Sequence, residues 1–175
     1  MAREIVYTGR RVSVAVDTFT APDGTTVRRD FIMHPGAVVI LPILDPEHVV
    51  LLRNHRWVVG ETLWEVPAGT REPDEELESC ARRELAEETG YSAARWTYLG
   101  YVYASPGVMN EQLHLFVAEG LTPGPMALEA DEELEPVTVP LAEAVRMCLS
   151  GEVKDAKTIT TLLLWERKQR GERPA

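Results

Sequence analysis

The chain has 175 residues, is 45% hydrophobic and carries 28 acidic against 18 basic residues, for a formal charge of −10. That length and apolar content suit one globular domain with room for a small appendage, and the longest apolar run, Ala37 to Leu44, is too short to cross a bilayer. The acidity argues against a nucleic-acid partner, which would need clustered Lys and Arg, and two cysteines with neither metal-ligand spacing nor a secretory signal point to a reduced, cytoplasmic protein.

Val12 to Phe19 alternates as a strand, Ala21-Pro22-Asp23-Gly24 supplies a turn, and Thr25 to Met33 returns, so residues 1–35 read as an N-terminal antiparallel β-hairpin. After His34-Pro35-Gly36, Ala37–Leu44 and His48–Arg53 read as two buried strands about the turn Asp45-Pro46-Glu47. A loop with Trp57 and Gly60 follows. Thr62 to Gly69 then forms a short strand whose Pro67 and Gly69 break leads into an acidic helix after Pro73, stopped by Gly90. Trp96–Ala104 and Gln112–Gly120 are further strands, and Leu121 to Pro136 reads as an acidic loop. Two helices close the chain, beginning near Pro140 and Asp155. Strands and helices that do not alternate regularly predict an α+β fold, a mixed sheet covered by helices, in residues 36–175. Neither G-x-G-x-x-G nor G-x-x-x-x-G-K-[ST] occurs, which disfavours the dinucleotide-binding and P-loop folds.

The acidic helix carries the chemistry. Wound at about 100° per residue, Leu77, Ala81 and Leu85 draw an apolar stripe. Glu84 and Glu88 fall inside that stripe and Glu87 at its edge, whereas Asp74, Glu75, Glu78 and Arg82 lie mostly on the other side. A charged helix face laced with i, i+4 pairs accounts for the outer group only. Carboxylates directed inward are costly unless a cation meets them, and hard Mg²⁺ or Mn²⁺ suits carboxylate oxygen while leaving room for phosphate.

The spacing from Gly69 through Glu75 to Arg83-Glu84-Leu85-Ala86-Glu87-Glu88-Thr89-Gly90-Tyr91 resembles the Nudix box, G-x5-E-x7-R-E-U-x-E-E-x-G-U. Tyr91, at a position usually aliphatic, is the one departure. The resemblance implies a Nudix-type α/β/α sandwich with a mixed sheet, and metal-dependent hydrolysis of a nucleoside diphosphate linked to another moiety. It assigns Glu84, Glu88 and the main-chain carbonyl of Ala68 to the metal, and Glu87 to a second metal or a metal-bound water, with two or more Mg²⁺ or Mn²⁺ ions per site. Arg83, within i, i+4 of Glu87, reads as an orienting partner for these glutamates. Glu75 is left between an outer-sphere metal role and a structural salt bridge.

Ser105-Pro106-Gly107, Leu63–Gly69 and Gly151–Leu164 further resemble the ADP-ribose pyrophosphatase subgroup. That implies substrate contacts at Arg56 and Pro106, with Arg53 and Trp57 as weaker candidates. It also implies a catalytic glutamate in the acidic loop, Glu132 with Glu133 as rival and Glu129 as a weaker one, with Glu87 of the box next if the loop does not supply it, and a homodimer built through the N-terminal hairpin. Other nucleotide sugars or dinucleotides, such as GDP-mannose, ADP-glucose or FAD, are alternative substrates. A catalytically silent nucleotide-sensing domain is the alternative class, and retention of every box glutamate argues against it.

Overall fold

The computed structural model describes residues 1–10, 12–128 and 133–171. Its centre is a seven-stranded mixed sheet, preceded by a separate three-stranded antiparallel one. The small sheet runs β1 (Ala2–Thr8), β2 (Ser13–Thr20), β3 (Thr26–Met33) in sequence order. The expected hairpin is its β2–β3 part. β1 adds a third strand whose residues are all exposed, so it carries no burial pattern for a sequence to display. The small sheet is tied to the rest of the molecule where the Ile32 N–H donates to Val108 O at 2.8 Å and the His34 N–H to Asn110 Oδ1 at 2.8 Å.

The central sheet comprises β4 (Ala37–Asp45), β5 (His48–Arg56), β6 (Glu61–Glu65), β7 (Ala68–Thr70), β8 (Tyr91–Tyr103), β9 (Gln112–Pro123) and β10 (Leu134–Pro140). Its order is β10-β5-β4-β9-β8, antiparallel apart from the parallel β4–β9 pair. β4 and β5 pair only near their shared turn and then diverge, β6 lining β5 and β7 lining β4. Val66 and Pro67 cross the gap between the two arms. This splay opens the sheet where the acidic helix begins.

Helices cover both faces. Val38 and Ile40 of β4 with Phe116 and Ala118 of β9 meet Cys80, Ala81 and Leu85 of α1 (Leu77–Thr89). Val39, Leu41, Leu115 and Val117 point the other way, onto Ala144 and Met147 of α2 (Leu141–Ser150) and Leu162 and Trp165 of α3 (Ala156–Gln169). A strand buried on both faces reads as an unbroken apolar run, which is the form of Ala37–Ile43. Among the described residues no helix is long and apolar enough to cross a membrane.

Several boundaries differ from expectation: β5 runs on to Arg56, the one strand expected over Thr62 to Gly69 is two, β6 and β7, and β8 begins at Tyr91 rather than Trp96. α1 starts at Leu77, because Pro73 and Asp74 form a turn in which Asp74 adopts φ 61°. The acidic loop is also shorter than predicted: β9 runs to Pro123 and Leu134–Pro140 is an edge strand, whose two prolines and acidic neighbours hide its alternation.

Candidate active site

The apolar stripe of α1 anchors the helix against the sheet, and that packing carries Glu84 and Glu88 inward, to 8% and 4% exposure. Glu88 Oε2 accepts the Ala68 N–H at 2.9 Å, joining the helix to the start of β7. Glu84 lies directly over Gly69, where an added Cβ would stand 1.8 Å from its Cδ, so only glycine leaves that carboxylate its place. Gly90 closes the helix in the left-handed region at φ 72°, its N–H donating to Ala86 O at 2.9 Å.

Arg83 organises the acidic face. Its Nη1 donates to Glu84 Oε1 at 2.7 Å and Glu87 Oε2 at 3.0 Å, while Nε and Nη2 grip Glu75 at 2.9 and 3.0 Å. Glu75 Oε2 also accepts the Glu72 N–H at 3.1 Å. The geometry of Glu75 is therefore that of a brace for Arg83 and for the turn before the helix. The Arg83 guanidinium, with the Glu72 N–H, holds the Glu75 carboxyl down at about 2, and the Arg83 guanidinium is held protonated more firmly than usual by Glu75 and then Glu84. The neighbouring Cys80 thiol is pushed up to about 12 by burial and by Glu75, which removes it as a nucleophile.

Ala68, Gly69, Arg83, Glu84, Glu87 and Glu88 form one wall of a cleft of about 1450 Å³. On another wall stands Arg56, at the end of β5, its Nε and Nη2 donating to the two oxygens of buried Glu65 at 2.7 and 2.5 Å. Trp57 also lines the cleft; it is 69% exposed and stands edge-on to His55 with ring centroids 4.5 Å apart. Glu133 lines it as well, its carbonyl accepting the His55 N–H at 3.0 Å. Glu129 and Glu132 lie outside the described residues.

Two expected contacts are placed elsewhere. Arg53 points away from the cleft, its guanidinium 4.7 Å over the Trp64 ring, because it is an odd number of residues from Arg56 along one strand. Pro106 belongs to the β8–β9 loop, from which Ala104 and Glu111, not Pro106, reach the cleft wall. Arg10, Glu111, Asp155 and Lys157 line the cleft without having been expected there. Only Asp155 had a local signal: three residues before Thr158, it stands at an N-cap spacing, and Asp155 Oδ2 does accept the Thr158 N–H at 3.0 Å.

The donor set suits a hard divalent cation. Two buried carboxylates one turn apart face a cleft whose wall carries more carboxylates than basic groups. Among the described residues no three His, Cys, Asp or Glu side chains converge as a cage. Mg²⁺ asks for less, since one or two carboxylates suffice when water and substrate phosphate complete the sphere. Glu84, Glu88 and the Ala68 carbonyl are the groups that would hold it, with Glu87 alongside.

An α/β/α sandwich with a glutamate-bearing helix at the splay of its sheet defines the class, and similarity to known proteins agrees. The NUDIX domain family matches residues 33–162. The chain is 35% identical to an ADP-ribose pyrophosphatase of Bacillus subtilis over 97% of this chain and 92% of that protein. It is 37% identical to a GDP-mannose pyrophosphatase of Cronobacter sakazakii over 87% and 84%. A crystal structure described as an ADP compounds hydrolase superposes with a TM-score of 0.82 at 26% identity, covering 99% of this chain and 95% of the other. The chain belongs to the Nudix family and is a Nudix pyrophosphohydrolase similar to the ADP-ribose pyrophosphatases.

Proposed function

We propose that the enzyme hydrolyses the diphosphate of ADP-ribose to AMP and ribose 5-phosphate with Mg²⁺ or Mn²⁺ bound, two or more ions per site. The observation that carries this reading is the pair of buried carboxylates, Glu84 and Glu88, held by Gly69 and Ala68 in the cleft that Arg56 also lines. The ions, when bound, neutralise diphosphate charge and lower the pKa of water. Arg56, already oriented by Glu65, binds a diphosphate oxygen. Arg83 keeps Glu84 and Glu87 aligned. Trp57 offers an exposed ring to the nucleobase.

The base that takes the proton from the attacking water is assigned to the acidic segment, because carboxylates bound to metal lose their basicity. Glu133 lines the cleft, and Glu132 precedes it. Kinetics of Glu132→Gln and Glu133→Gln at saturating Mg²⁺ decide between them: a 10²-fold or larger fall in kcat marks the base, and unchanged kcat in both moves the role to Glu87.

The substrate is tested by assaying ADP-ribose, GDP-mannose, ADP-glucose, NADH and FAD with Mg²⁺ or Mn²⁺. The highest kcat/KM is expected for ADP-ribose; a preference for GDP-mannose would favour the second reading, which the Cronobacter sakazakii relative raises. Hydrolysis of none would support a nucleotide sensor. A homodimer assembled through the N-terminal sheet and a cytoplasmic location complete the proposal, the latter in keeping with two buried, free cysteines, Cys80 and Cys148.

A further inference from the structure

Val66, Pro67 and Ala68 carry the chain across the splay from β6 to β7, and three different elements hold them. The Val66 N–H donates to Thr158 Oγ1 of α3 at 2.8 Å, the Ile40 N–H of β4 donates to Pro67 O at 2.8 Å, and the Ala68 N–H donates to Glu88 Oε2 of α1 at 2.9 Å. Pro67 has no N–H of its own, so Val66 supplies the backbone donor that ties the crossing down just ahead of Ala68. The Ile40 bond settles the aim of Ala68. It makes the register partners Val39 and Ala68 a non-hydrogen-bonded antiparallel pair, in which the N–H and C=O of each residue point away from the other strand. Turned from β4, the Ala68 N–H meets Glu88, and the Ala68 carbonyl faces the gap between the two arms of the sheet.

Thr158 is fully buried, and its hydroxyl is committed twice. Its single proton goes to Asp155 Oδ2 at 2.5 Å, and its oxygen accepts the Val66 N–H. Asp155 is itself held, its Oδ1 lying 3.0 Å from Lys157 Nζ, which also donates to Glu65 Oε2 at 2.6 Å beside Arg56. Capping α3 needs only the Asp155 carboxylate and the Thr158 N–H, so the hydroxyl is surplus to the cap. Thr161, further along the same helix, is buried to the same degree, but its hydroxyl donates inside the helix, to Lys157 O at 2.7 Å.

We propose that Thr158 is a positioning residue for the metal centre: through Val66 it fixes the aim of the Ala68 carbonyl, so that the first turn of α3 sets the main-chain ligand while α1 sets the two carboxylates. This rests on the reading of Glu84, Glu88 and the Ala68 carbonyl as the metal-binding set. A main-chain oxygen cannot be re-aimed by a side-chain rotation, so its anchors decide where it stands, and groups that orient a metal ligand from behind govern affinity nearly as strongly as the ligand does.

Mn²⁺ titration of the full chain followed by electron paramagnetic resonance, with amide hydrogen exchange of Ala68 in the metal-free protein, tests this without turnover. Thr158→Val keeps the side-chain shape and removes the hydroxyl, so Mn²⁺ is expected to bind about ten-fold or more weakly and the Ala68 amide to exchange about ten-fold faster. Thr158→Ser should restore both, and Thr158→Cys, whose thiol is a weaker acceptor, should fall between. Thr161→Val, which deletes a hydroxyl from the same buried helix face, should match the parent in both measurements. Melting temperatures establish that each variant is folded under the conditions of the titration. Tight Mn²⁺ binding by the parent that Thr158→Val leaves unchanged would overturn the proposal and keep the metal reading. Equal losses in Thr161→Val would also overturn it, since they would mark a general loosening of α3. Faster Ala68 exchange in Thr158→Val, in a chain whose parent binds no Mn²⁺, would sink the metal reading and leave Thr158 as the anchor of the crossing.

Discussion

The placement of each glutamate on α1 follows from its angle relative to Leu77, Ala81 and Leu85, and the consequence is a sharp division of labour. Glu84→Gln or Glu88→Gln keeps side-chain shape and removes charge, so turnover should fall by 10²-fold or more, about 2.7 kcal/mol. Glu78→Gln should leave steady-state rates nearly unchanged, since Glu78 pairs with Arg82 on the solvent side at 2.7 Å; equal losses at all three positions would dismiss the facing argument. Glu75 predicts a pH effect. Its carboxyl titrates at about 2 in the folded chain against an ordinary 4.5, so the stabilisation it contributes is complete above about 4.5 and is lost as pH falls through about 2. Thermal melts between those values should decline less steeply for Glu75→Gln than for the parent, and parallel curves would refute it.

At the scale of elements, the sequence disclosed what periodicity can carry. The inward turn of Glu84 and Glu88 was legible because helix phase is fixed by three apolar residues, and β4 was legible because burial on both faces leaves a continuous run. β1 and β10 were not, the first because it buries nothing and the second because Pro136 and Pro140 read as loop. Arg53 was already the weaker candidate beside Arg56, and strand pairing sends the two to opposite faces. Lys157 could not be placed beside Arg56 from sequence, because that meeting depends on docking α3 just past the end of β6, where the Val66 N–H donates to Thr158 Oγ1. The junction after α1 offers a test of how far one element depends on another. Gly124 donates its N–H to Gly90 O at 2.5 Å and Ala127 to Glu87 O at 3.1 Å, so the chain leaving β9 covers carbonyls at the helix end. Gly90→Ala imposes the left-handed penalty of about 1–2 kcal/mol and sets a Cβ 2.7 Å from Gly124 O. The melting temperature should drop by roughly 4–8 °C for a loss near 2 kcal/mol; a drop under 1 °C would show that the junction yields freely.

For the whole molecule, the N-terminal sheet is the part least accounted for by the single chain. Ile5, Val6 and Tyr7 are all more than half exposed, as are Trp57, Val58 and Val59 at the β5–β6 turn. With the homodimer proposed above, light scattering of the full chain should give twice the chain mass, and Ile5→Lys with Tyr7→Glu should shift it to monomer with reduced ADP-ribose turnover; a monomeric parent with full activity would exclude that assembly. The opposite margin of the molecule behaves differently. β10 is the outermost strand beside β5, and Pro136 and Pro140 have no N–H to offer an incoming strand, while Glu135 adds charge along the same margin. Refolding chains that meet there find a ladder interrupted at both prolines, so the central sheet is guarded at this margin against edge-to-edge polymerisation.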